Sequence, residues 1–180
     1  VTLGACAFIF NKNLMRVIKT FRHVAMFPRL MLAGVITAII GSLVPEALGD
    51  GTSAINQAMI SPTNIELIIL LLFAKLVLTW AAIGLGIPGG IIGPIFGLGV
   101  LIGLVIGNIV LQLDPSIHLL GTYAVLGMAG LMAATLHAPL AALVAVMEMT
   151  SNPDAITPAI IVIAIAYITS AQLLKNRSIF

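Results

Sequence analysis

The chain has 180 residues, of which 61% belong to the apolar set and only 8% are charged, and its formal charge is +2. Soluble domains carry about 25% charged residues, so this composition excludes an ordinary soluble domain. With a mean hydropathy of +1.21 it points to an integral membrane protein. The small charge gives no reason to expect nucleic acid as a partner. The apolar runs are long and continuous rather than alternating, which favours membrane helices over barrel strands. At about 20 residues per full span, there is room for roughly six to eight spanning or half-spanning helices.

In chain order, residues 2–22 read as a helix with an apolar first half and a basic second half (Lys12, Arg16, Lys19, Arg22). Its single cysteine, Cys6, reads as a small core filler. Pro28 marks a break, and 30–44 is the next span, ending at Pro45. A polar loop holding Glu46, Gly49, Asp50 and Gly51 follows, then a short amphipathic helix over 52–60. Ser61-Pro62-Thr63 reads as a helix start, and 63–84 as a long helix with one charge, Lys75.

Between 84 and 97 lie six glycines with Pro88 and Pro94. Proline breaks a helix and glycine lets backbone approach a ligand closely. Broken helix at membrane depth is tolerated only where it is buried in protein or lines a cavity. A helix restarting near Ile91 presents unpaired N–H groups and a positive dipole end, which suits an anion. The residues therefore suggest an anion passage, with close helix packing around a kink as the structural alternative.

That helix is expected to reach Leu113, with a turn at Asp114-Pro115-Ser116. Residues 119–135 form a Gly- and Ala-rich helix suited to close packing in a membrane, broken at His137-Ala-Pro139. The segment 139–149 is too short to span. After Ser151-Asn152-Pro153-Asp154, residues 155–175 make the last long helix. His137 reads as a loop or cap residue, and His23 and His118 lie in polar stretches. No metal-binding spacing, P-loop or nucleophile elbow occurs, so no cofactor or metal is expected. An intramembrane enzyme would need a convergent cluster, and only scattered His137 and Glu148 are on offer.

Residues 12–29 hold five of the eight basic residues and no acid. With Lys175 and Arg177 they are expected on the cytoplasmic side of the bilayer, with Glu46, Asp50 and Glu66 opposite. Interrupted helices meeting at mid-membrane mark transporters built from inverted repeats. No internal repeat is evident, so a partner repeat is expected outside these residues. The chain begins at Val1 and ends at Phe180 just after a helix, which reads as a piece of a longer polypeptide.

Gly89-Gly90-Ile91-Ile92-Gly93-Pro94 resembles the second-half G-x-F-x-P signature of the CLC family of chloride channels and chloride/proton exchangers. Other segments agree in order. Gly127-Met-Ala-Gly-Leu-Met-Ala-Ala-Thr-Leu-His-Ala-Pro-Leu140 resembles the family's G-M-A-A-x-x-A-x-x-x-x-A-P-L segment. Met147-Glu148-Met149-Thr150 resembles its E-M-T, Ser178-Ile-Phe180 its S-I-Y, and Phe10-Asn11-Lys12 the F-N helix that opens its second half.

The resemblance implies an all-α membrane bundle with tilted, broken half-membrane helices, in which this chain, 1–180, is the second half of an inverted-repeat fold. It also implies chloride as the transported ion, a missing N-terminal half of the same subunit, and a homodimer with contacts through 139–149 and 155–175. The implied function is a voltage-gated-type chloride channel or a chloride/proton antiporter. A non-transporting scaffold, or selectivity for another anion such as fluoride, are the alternatives.

The family's central serine, from G-S-G-I-P, and its gating glutamate, from G-R-E-G-P, belong to the first half. Gly84-Leu-Gly-Ile-Pro88 only echoes the former, with Leu in place of Ser. Carried over by position, Ile91 and Ile92 would offer backbone N–H groups to a central anion. Gly89, Gly90, Gly93 and Pro94 would shape that loop. Ile92 stands where the family has Phe, and Phe180 where it has a pore-facing Tyr. The phenyl ring lacks a donor, which implies a weakened site. Lys75 is expected to be structural, snorkelling or pairing with a carboxylate such as Glu148, with a raised potential near the pathway as the alternative. Glu148 is expected to be a buried acceptor, with proton carriage the lesser reading.

Overall fold

The computed structural model describes residues 1–49, 51–60, 63–113, 120–149 and 155–176. Among these, all regular structure is helical. In chain order it comprises α1 (Thr2–Phe21), α2 (Met26–Leu43), a 3-10 turn (Pro45–Ala47), α3 (Thr52–Ile60), α4 (Ile65–Gly84), α5 (Ile92–Leu113), α6 (Leu120–Leu136), α7 (Pro139–Met149) and α8 (Ile156–Ile168). A π-helical turn, Thr169–Leu173, continues α8. Among the described residues, four segments are long and apolar enough to cross a membrane: Met26–Leu43, Ile65–Gly84, Ile92–Leu113 and Ile156–Leu173.

Three boundaries differ from the sequence reading. Pro28 does not break the chain but lies in the first turn of α2, where a missing N–H costs nothing. The break falls earlier, between Arg22 and Ala25. The last long helix does not run on as α-helix to 175. It widens at Thr169, and Lys175 takes a left-handed φ of 48°. Helix α4 starts at Ile65 rather than 63, capped by Asn64, whose side chain accepts the Leu67 N–H at 3.2 Å. Ser61 and Pro62 lie outside the described residues, as does the turn at 114–116.

Helix α6 occupies the centre. It is apolar on every face, and Gly127 to Thr135 are all buried. It packs on α1, α5, α7 and α8. Glycines meet where α5 packs on α6. A Cβ placed on Gly127 would lie 2.6 Å from the Gly103 Cα, and one on Gly99 would lie 2.9 Å from the Gly127 carbonyl oxygen. No larger residue admits that backbone approach.

The break after Leu136 orphans the last carbonyls of α6. Two side chains from distant helices take them. Asn11 of α1 donates through Nδ2 to the Thr135 carbonyl at 3.1 Å, and Ser170 donates to the Ala134 carbonyl at 2.8 Å. Asn176 in turn donates to the Ser170 hydroxyl at 2.8 Å. The end of α6 is thus tied to α1 and to the π turn by hydrogen bonds.

Candidate functional site

The Gly/Pro stretch breaks the chain between α4 and α5 as its composition dictates. Leu85 closes α4 by donating to the Ala81 carbonyl, and Gly86 turns the chain at φ 90°. Ile87 is the last residue before the break whose N–H is bonded, to Ala82 at 2.9 Å. The next backbone bond runs from the Ile95 N–H to the Ile91 carbonyl, the first of α5. Among the described residues, the N–H groups of Gly89, Gly90, Ile91, Ile92 and Gly93 donate to no protein acceptor. Pro94 has no N–H to leave unpaired. The loop before α5 and the start of α5 therefore hold a run of unbonded donors at the helix's positive dipole end.

Part of this run borders a cavity of about 420 Å³. Gly89, Gly90, Gly93 and Pro94 line one side. Ala47, Leu48 and Gly49, from the turn between α2 and α3, line another, and Lys75, Leu78 and Thr79 of α4 complete it. The Ile91 side chain is buried in the core beneath the loop, whereas the Ile92 side chain is half exposed. Neither residue lines the cavity.

Lys75 is only 1% exposed, in the middle of a span. A lysine at membrane depth costs ~2.5–3.5 kcal/mol on insertion scales. Its Nζ is neither snorkelling to a surface nor paired with Glu148. It donates to the carbonyls of Ala47 at 3.2 Å and Gly49 at 2.5 Å. Glu148 is exposed on α7, which packs on α6 and α8, so the expected buried acceptor is not found there. His137 does sit at a chain break, with a left-handed φ of 55° and its ring edge-on to Tyr167. Phe180 lies outside the described residues.

The structure thus brings Gly89, Gly90, Gly93, Pro94 and Lys75 to one cavity and leaves Glu148 apart from it. Sequence reasoning missed the wall made by Ala47 to Gly49. A turn rich in small residues after Pro45 was visible, but nothing in it signals proximity to residue 89. Among the described residues, no cluster of metal-ligating side chains is present.

Comparison with known proteins shows the family. The family model described as "Voltage gated chloride channel" matches residues 1–171. The H(+)/Cl(-) exchange transporter ClcA of Klebsiella pneumoniae subsp. pneumoniae is 37% identical over 131 residues, 72% of this chain and 28% of that protein. The ClcA of Salmonella agona is 40% identical over 129 residues, 71% of this chain and 27% of that protein. A crystal structure of a slow cyanobacterial Cl-/H+ antiporter superposes with a TM-score of 0.83 at 28% identity, covering 96% of this chain and 41% of that one. The chain therefore spans little more than a quarter of the ClcA relatives and two-fifths of the antiporter. With nearly its whole length matched by the family model and its helices following those of the antiporter, this chain belongs to the voltage-gated chloride channel family of integral membrane proteins.

Proposed function

We propose that this chain is the second half of the transmembrane domain of a chloride transport protein, and that the unbonded N–H groups at Gly89 to Gly93 form part of its anion path. One observation carries the reading. In a member of a chloride channel family, three glycines with unbonded N–H groups, Gly89, Gly90 and Gly93, line a cavity of about 420 Å³ at the start of a membrane helix. Backbone donors replace part of an anion's hydration without a full positive charge, so the ion is bound loosely enough to leave. Ile91 and Ile92 supply N–H groups, Gly89, Gly90 and Gly93 supply the space, and Pro94 holds the break. Phe180, in place of the family's tyrosine, removes one donor and weakens the site.

The mode is chloride/proton exchange rather than voltage-gated conduction. The names of the ClcA relatives and the likeness to an antiporter favour it. The missing first half supplies the gating glutamate. The basic segments 12–29 and 175–177 face the cytoplasm by charge bias. The protein works as a homodimer through α7 and α8, whose Leu140, Val144, Met147, Ile161 and Ile165 present an exposed apolar face.

The test is flux. The full-length protein is reconstituted in liposomes, and chloride efflux and external pH are followed together. Chloride efflux with opposing proton movement is expected. Chloride efflux without proton movement would overturn exchange and leave a channel. Silence toward chloride would overturn the transport reading, with a fluoride control separating another anion from a scaffold.

A further inference from the structure

Lys75 donates its ammonium to a stretch of backbone, and that stretch lines the cavity. The carbonyls of Ala47 and Gly49 point at Nζ. Left to themselves they would be two acceptors beside a site for an anion. Directed at Lys75, their negative ends are held by a cation inside the wall.

The same turn is gripped from its other side. Gly51 is buried at φ 112°, a conformation that side chains disfavour. A Cβ placed on Gly51 would lie 3.3 Å from the Gly97 Cα, 3.4 Å from the Gly93 carbonyl oxygen and 3.5 Å from the Lys75 Cε. The Lys75 stem, the turn and the first turns of α5 are therefore stacked in direct contact. Gly93, at the far end of that stack, is one of the unbonded donors.

We infer that Lys75 is a positioning residue for the anion site. It holds Ala47, Gly49 and Gly51 against α5, which fixes where the Gly89–Gly93 donors stand relative to the opposite wall, and it turns two carbonyls away from the ion. This inference rests on the anion-site reading given above. Its consequence is selectivity. A wall held at fixed distance discriminates between anions of different size, and a wall set loose does not.

The experiment compares chloride and nitrate flux in liposomes carrying the full-length protein. The variants are Lys75→Met, Lys75→Gln and Gly97→Ala. Methionine removes both donor and charge, glutamine keeps a donor for the carbonyls, and alanine at 97 pushes on Gly51 from α5. Lys75→Met and Gly97→Ala should each shift the chloride-to-nitrate ratio by about threefold to thirtyfold, the span of coupling seen for residues that act at a distance. Lys75→Gln should restore most of the ratio. Loss of fold alone would scale both fluxes together and leave the ratio unmoved. If Lys75→Met does not fold, the other two variants decide on the same ratio. An unchanged ratio in Gly97→Ala, or a Lys75→Gln as altered as Lys75→Met, would overturn the inference. Wild-type protein silent toward chloride would instead sink the transport reading on which it rests.

Discussion

Replacing Gly127 by alanine tests the packing that holds α6 in the centre of the fold. The added Cβ would fall 2.6 Å from the Gly103 Cα and 2.8 Å from its nitrogen, and would also press on the Gly99 carbonyl oxygen. Carbon atoms in contact sit about 3.5–4.0 Å apart, so the two helices must part by roughly 1 Å. The obstacle is backbone, which cannot change rotamer, so the cost belongs at the upper end of the ~1–3 kcal/mol typical of overpacking. Alanine recovers up to ~1 kcal/mol over glycine in helix propensity. The net expectation is a loss of about 2 kcal/mol, a factor of roughly 30 in the folded-to-unfolded ratio. Gly34 and Gly121 are matched controls, since a Cβ at either meets nothing within 4 Å. Thermal unfolding of the detergent-solubilised full-length protein should show Gly127→Ala melting lower, and Gly34→Ala and Gly121→Ala melting unchanged or higher. A Gly127→Ala variant as stable as the controls would refute the claim that backbone contact sets the α5–α6 distance.

Ser170→Ala removes the donor to the Ala134 carbonyl and the acceptor for Asn176. With the carbonyl buried, stability should fall by ~1–3 kcal/mol, read as a lower denaturation midpoint. Asn64→Ala strips the cap from α4 and should cost ~1 kcal/mol, while Asn64→Ser should restore most of it. Ile92→Pro deletes one N–H at the first position of α5, where proline is tolerated. Chloride affinity measured by titration calorimetry should drop by about threefold to tenfold, with thermal stability preserved. That range corresponds to losing one hydrogen bond worth ~0.5–1.5 kcal/mol. Unchanged affinity would mean that this donor does not touch the ion.

The helices were legible because each is a long apolar run closed by Pro, Gly or a polar turn. The boundaries at Gly84, Leu113, Leu136 and Pro139 fell within a residue or two of expectation. Pro28 misled because the same residue that ends a helix is welcome in its first turn. The widening at Thr169 left no mark in the sequence; within it Ser170 bonds the end of α6, a contact between residues 36 apart. The loop of the candidate site could be read directly, because broken helix in a membrane has few uses. Its opposite wall could not. Lys75 donates to the carbonyls of Ala47 and Gly49, and backbone acceptors carry no signature in the side-chain alphabet. Glu148 was expected to be buried because it follows an apolar run, but α7 is short and peripheral and leaves that face uncovered.

The central claim is that a halide sits against the backbone donors of Gly89 to Gly93. Bromide stands in for chloride and scatters anomalously, so a crystal of the full-length protein grown in bromide tests it directly. The account predicts an anomalous peak in the cavity between this loop and the Ala47–Gly49 turn, within hydrogen-bond distance of the N–H groups at the start of α5. Bromide peaks elsewhere in the membrane region, with none at this loop, would contradict it.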